Sequence, residues 1–247
     1  MKNNFYFKET FSNIYKLPNK RSEVTSQILY GEKFKILSKR KGWIKIKSLY
    51  DRYVGFIKDK NYVSKLKISH KVSNIEANIF KNPNTKTDRT LYFGSKLSVL
   101  EKRNGFARFE KNQWVKSKDI KKITHKERNF VKILNLFLKT KYVWGGKTNK
   151  GIDCSALLQM FFYYNNLFYP RDTKDQIKYS KKKISKKFKK GDIIFWKGHV
   201  AICINSKKLI HAYGPKKRVI VMPINKTIKS ILDTANLKVR KISKINF

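Results

Sequence analysis

Apolar and polar residues alternate through much of the first half of the chain. In Phe34-Lys35-Ile36 and Ile44-Lys45-Ile46 every second side chain falls on one face, the period of a half-buried strand. Clusters of Gly, Asn and Lys punctuate these runs, so residues 1–123 read as short antiparallel strands. The runs occur twice. Asn13-Ile14-Tyr15-Lys16 with Pro18 is echoed by Asn78-Ile79-Phe80-Lys81 with Pro83, and Tyr30-Gly31-Glu32-Lys33-Phe34 by Phe93-Gly94-Ser95-Lys96-Leu97. Gly42-Trp43 returns as Gly105-Phe106. Two copies of one small β-unit, over 1–66 and 67–123, follow from that order and spacing; an undivided β-rich domain is the competing expectation.

The period changes after Ile123. Thr124 and Glu127 form a capping-box pattern, and Phe130, Ile133, Leu134, Phe137 and Leu138 recur at helical spacing, predicting one amphipathic helix up to about Thr140. A third domain is therefore expected over 124–247. Past a Gly145-Gly146 turn, the stretch from Cys154 to Tyr164 is apolar nearly all round and predicts a buried central helix with Asp153 or Cys154 at its start. A short helix is expected from Thr173 to Tyr179, and an exposed loop from Lys181 to Lys190. Strand-like runs complete the domain at 192–196, 199–205, 208–213 and 219–222. The fold class is α+β.

Charge adds little to this picture. The 59 Lys and Arg against 16 Asp and Glu leave a formal charge of +43, which favours polyanions in general. The lysines are spread among Asn and Ile along the whole chain, as a compositional bias spreads them, and no nucleic-acid motif accompanies them. No specific nucleic-acid partner is expected. Two cysteines, Cys154 and Cys203, exclude a disulfide-dense scaffold and suit a reducing compartment. The N-terminal residues show no apolar export segment, and no run approaches the ~20 apolar residues of a membrane span. A soluble, cytoplasmic protein is expected.

The chemistry centres on Cys154. A thiol in the first turn of a helix faces unpaired N–H groups and the positive end of the dipole, which favour thiolate. Of four histidines, His199 and His211 lie on neighbouring predicted strands, so one imidazole can orient the other. That makes His199 the general base and later acid, and His211 its orienter. His70 falls between the β-units and His125 before a helix. No His, Cys and Asp group has ligand spacing, so no metal or cofactor is expected.

These residues lie in five ordered motifs: Tyr142-Val143-Trp144-Gly145-Gly146, Gly151-Ile152-Asp153-Cys154-Ser155, Gly191-Asp192-Ile193-Ile194-Phe195-Trp196, His199-Val200-Ala201-Ile202 and Ile210-His211-Ala212. Together they resemble the NlpC-type papain-like cysteine peptidases of bacterial cell-wall peptides. Ala156 departs from the Gly usual in that family. The first half, with Tyr53-Val54-Gly55-Phe56, resembles a pair of bacterial SH3-like barrels. The combination resembles γ-D-glutamyl-L-diamino-acid endopeptidases of murein peptide turnover. The resemblance implies a triad of Cys154, His199 and His211 and a substrate of L-Ala-γ-D-Glu-diamino acid with a free amino terminus. It also implies substrate contacts from Asp153, Ser155 and Thr173, and from Glu23 and Tyr53 in the first barrel.

Pro170-Arg171-Asp172-Thr173 fits that subgroup's ammonium-binding carboxylate; Asp172 then either pairs with the substrate ammonium or merely caps the helix after it. The Tyr142 hydroxyl and the Cys154 backbone N–H are the expected oxyanion donors. Three other activities use the same parts: an exported hydrolase of intact peptidoglycan, a Cys-His acyltransferase, and a non-catalytic wall-binding protein.

Overall fold

Ile44 and Ile46 are fully buried while Lys45 between them is not, so the alternation read in the sequence is the alternation of the sheet. The computed structural model describes residues 4–184 and 187–245. The chain divides into two compact units, Met1–Lys126 and Glu127–Phe247.

In the first unit, residues 4–63 form a seven-stranded antiparallel sheet. Its strands run in the order Val24–Leu29, Phe11–Tyr15, Val54–Lys58, Trp43–Ser48, Lys33–Arg40, Asn4–Phe7, Tyr62–Val63. The sheet curls around a core of Phe7, Ile14, Ile28, Phe34, Ile44, Ile46 and Ile57. Residues 70–122 form a five-stranded and a three-stranded sheet around Val72, Ile79, Leu91, Leu97, Phe109 and Val115.

The sequence echo is also an echo of backbone bonds. The Gly31 N–H donates to the Phe7 carbonyl (2.8 Å) as Gly94 does to Val72 (3.0 Å), and Glu32 N–H to Leu29 as Ser95 does to Tyr92. Lys41-Gly42 and Asn104-Gly105 both turn through positive φ at each residue, the geometry of a tight hairpin. The copies interlock. Tyr30 leaves the first sheet to pack in the second core, against Phe109, and its carbonyl accepts from Lys96 N–H at 2.9 Å.

The second unit is a five-stranded antiparallel sheet flanked by helices. Strand order is Arg218–Pro223, Lys208–Tyr213, His199–Cys203, Asp192–Trp196, Lys241–Lys244. Helix α1 (Phe130–Leu136), α2 (Cys154–Tyr164), α3 (Thr173–Tyr179) and α4 (Ile224–Ala235) follow in chain order. Every residue of α2 is buried, as its all-round apolar sequence requires. It packs on the His199 and Lys208 strands and on α1. The amphipathic α4 presses Ile224 and Ile231 onto the sheet beside Ile194, Trp196 and Leu209.

Two expectations are corrected. The Thr124 capping box does not form: Asn129 occupies the N-cap of α1, and Glu127 instead accepts from Asn129 N–H (3.0 Å) and donates its own N–H to Asn165 (2.9 Å). A tertiary partner outcompeted the local one. The helix also stops at Leu136, short of Thr140, before Lys139 turns to φ 69°. Helix α4 and the Lys241–Lys244 strand were not read from the sequence at all. The expected Lys181–Lys190 loop includes residues 185 and 186, which lie outside the described residues.

Gly31 lies where backbone of the two β-copies meets. A Cβ there would sit 2.0 Å from the Lys96 carbonyl oxygen, at φ +75°. Gly105 shares the positive φ, at +76°, but has nothing within 4 Å. In urea unfolding, Gly105→Ala is expected to cost about 1 kcal/mol, the conformational penalty alone. Gly31→Ala is expected to cost about 3 kcal/mol, since backbone must move as well.

Candidate active site

The start of α2 is built around one buried carboxylate. Asp153 is the N-cap, and its Oδ1 accepts from Ala156 N–H (2.8 Å), from the Ser155 hydroxyl (3.0 Å) and from Arg171 (3.0 Å). Its Oδ2 accepts from Gly145 N–H (3.0 Å) and again from Arg171 (2.6 Å). Arg171 also donates to the Ser155 hydroxyl (2.9 Å). Arg171 and Asp153 are almost wholly buried, so the pair lies in a low-dielectric setting where each ion needs the other. Gln176 donates to the carbonyls of Ser155 and Pro170 (both 2.9 Å) and locks α3 to the same loop.

Asp153 and Ser155, expected as substrate contacts, lie at this buried junction. Their side chains are committed inside the protein and orient the helix start. Arg171 was not read as a site residue, although a buried N-cap carboxylate needs a cation and Arg171 stands in the quoted Pro-Arg motif.

Cys154 is the first residue of α2 and is buried. Its Sγ lies 4.0 Å from the Gly198 carbonyl oxygen, and it bonds the Val200 backbone and the Thr173 side chain. Gly198 and Val200 flank His199, so the thiol rests against the segment that carries the imidazole. His199 Nε2 lies 3.0 Å from His211 Nδ1. Tyr213 stacks on His211 with centroids 4.6 Å apart and planes at 12°. His211 and Tyr213 are two apart on one strand, so they share a face, a signal present in the sequence but unused.

Burial dominates the electrostatics. Desolvation, then the Asp153 charge, pushes the Cys154 thiol up to about 11, against the pull of Val200 N–H, Thr173 and Arg171. Desolvation lowers His199 to about 4, and desolvation with His199 beside it lowers His211 to about 3. Burial and the Asp153 charge therefore oppose the helix-start effect expected to favour thiolate. Both shifts favour the neutral thiol and the neutral imidazole.

Tyr142 is held protonated: burial first, then the Cys154 and Asp153 charges, raise its hydroxyl above the ordinary phenol range. It is a donor in the neighbourhood of the thiol. Asp172 stands at the N-cap position of α3, yet its side chain makes no capping bond. Its carbonyl takes the helical role, accepting from Gln176 N–H at 2.9 Å. Burial raises the Asp172 carboxyl, and Arg171 and Lys174 offset part of that rise. Glu23 and Tyr53 belong to the first unit. Glu23 pairs with Lys16 at 3.6 Å, and Tyr53 packs on the first core beside a turn where its N–H donates to Asp51 (3.1 Å).

Residues 139–234 match the NlpC/P60 family, and residues 14–61 match the bacterial dipeptidyl-peptidase SH3 domain. The chain is 26% identical over 230 residues to dipeptidyl-peptidase 6 of Lysinibacillus sphaericus, covering 81% of this chain and 84% of that one. It is 26% identical over 231 residues to the gamma-D-glutamyl-L-lysine dipeptidyl-peptidase of Bacillus subtilis (strain 168), covering 83% and 77%. Among solved structures, an NlpC/P60 family protein from Bacillus cereus ATCC 10987 superposes with a TM-score of 0.77 at 17% identity, over 90% of this chain and 94% of that one. The fold is shared.

Removing the guanidinium isolates a buried carboxylate. Arg171→Met is expected to destabilise the protein by about 3–5 kcal/mol in urea unfolding. Arg171→Lys should recover only part of that loss, because an ammonium restores the charge without the two-pronged geometry.

Proposed function

We propose that this cysteine-type peptidase, an NlpC/P60 domain joined to a bacterial SH3 domain, hydrolyses the γ-D-glutamyl to diamino-acid bond of cell-wall peptides whose N-terminal L-Ala is free. The observation that carries the reading is the Cys154 thiol, at the start of α2, lodged against the residues flanking His199 while His199 Nε2 is held by His211. The relatives named as dipeptidyl-peptidases support the bond class.

In this mechanism His199 takes the Cys154 proton as the sulfur attacks the γ-glutamyl carbonyl, so charge separates only when an electrophile is present. The Cys154 backbone N–H and the Tyr142 hydroxyl receive the oxyanion; a phenol kept protonated by its surroundings remains a donor throughout. The imidazolium then protonates the leaving amine. Water, deprotonated by His199, hydrolyses the acyl-enzyme and restores the thiol. Thr173 holds the sulfur from the opposite helix, and Asp153 with Ser155 fixes the helix start.

Asp172 supplies the selectivity. Its carboxylate is partly desolvated and not consumed by capping, so a primary ammonium stabilises it and an acylated amine leaves it unpaired. A requirement for a free amine suits peptides already released from the wall, and on that ground we place the reaction in cytoplasmic peptide turnover.

Cys154→Ala is expected to abolish cleavage of L-Ala-γ-D-Glu-L-Lys; product formation by that variant, followed by mass spectrometry, refutes the mechanism. The N-acetylated peptide is expected to lose roughly 10- to 100-fold in kcat/KM, the scale of one charge-assisted bond. The carboxyl pKa is raised, and only the ionised form binds ammonium. KM for the free peptide should therefore climb as pH falls through that pKa, and Asp172→Asn should hold KM high and flat over the same acid range.

A further inference from the structure

The His199–His211 pair has a directional ambiguity that a Cys-His pair backed by a carboxylate lacks. Each neutral imidazole has one N–H and one lone pair, so the 3.0 Å contact forms equally well with either ring donating. Only one direction leaves His199 able to act as a base.

A third atom resolves it. His211 Nε2 lies 3.4 Å from the sulfur of Met222, on the adjacent strand. His211 is opposite Ile220 in that antiparallel pairing, which puts Met222 diagonally across from it on the same face. A thioether has lone pairs and no proton, so it can only accept. As a hydrogen bond, the contact puts the His211 proton on Nε2. His211 Nδ1 is then bare and must accept, His199 Nε2 must be its donor, and the single lone pair of His199 is left on Nδ1.

We propose that Met222 is a positioning residue that sets the tautomers of both histidines and so keeps the basic nitrogen of His199 free for the thiol proton. The inference rests on the reading of His199 as the base. Burial keeps both rings neutral, so tautomer, not charge, is the variable that the sulfur controls. The Tyr213 ring, stacked on His211, holds the imidazole in the plane from which both of its nitrogens reach their partners.

The experiment is 15N NMR of histidine-labelled full-length protein, in which only four histidines contribute. The wild type should show His211 and His199 both protonated at Nε2; His211 protonated at Nδ1 overturns the proposal without any variant being made. Met222→Leu keeps the bulk and removes the acceptor. It should give mixed tautomers at both rings and lower kcat about 10-fold with KM unchanged, and Met222→Gln, which restores an acceptor oxygen, should recover both. Met222→Leu with wild-type tautomers and kcat overturns the proposal. So does a Met222→Leu loss confined to KM. The tautomer readout is independent of turnover, so cleavage by Cys154→Ala refutes the proposed function while leaving this test intact.

Discussion

A guanidinium and a carboxylate, both out of solvent, hold the chemistry of the second unit in place. Arg171 reaches from the loop before α3 to Asp153 at the start of α2, and Asp153 also gathers the backbone N–H groups of Gly145 and Ala156. The Gly145 turn and the Arg171 loop are thereby both fixed to the residue before Cys154. Two buried ions are costly to desolvate, and this pair is tolerable only because the carboxylate has five donors and the arginine a second acceptor in Ser155. Such a junction tolerates little displacement of Cys154, which is what its proposed role demands.

The same dryness governs the reacting groups. Burial pushes the Cys154 thiol up and the His199 and His211 imidazoles down, so it favours the uncharged form of all three. His211 stays a fixed partner of His199, 3.0 Å from its Nε2. The donors around the thiol, Tyr142 and the helix start, are in place before substrate arrives, and preorganised dipoles in a dry site are the effective form of transition-state stabilisation.

The first unit shows how a repeat becomes one body. Each copy keeps the Gly hairpin bonds of the other, and the Tyr30-Gly31 corner of the first enters the core of the second. Lys8 and Glu110 close on the Tyr30 hydroxyl from the two copies, so a polar clasp accompanies the apolar one.

Much of this was legible in the sequence, and the division follows the range of the forces involved. Period-two and all-round apolar patterns determined the strands, the repeat and the buried helix, because local sterics and burial of one face act over a few residues. The order of Tyr142, Cys154, His199 and His211 motifs identified the class of chemistry. Tertiary structure alone decided that Asp172 leaves its cap unmade, that Asp153 and Ser155 turn inward to Arg171, and that Glu127 binds Asn165 instead of Thr124. It also decided that the Cys154 thiol is buried beside the Asp153 charge, and that Met222 meets His211. Each of these depends on which groups lose water and which partner, far along the chain, replaces it.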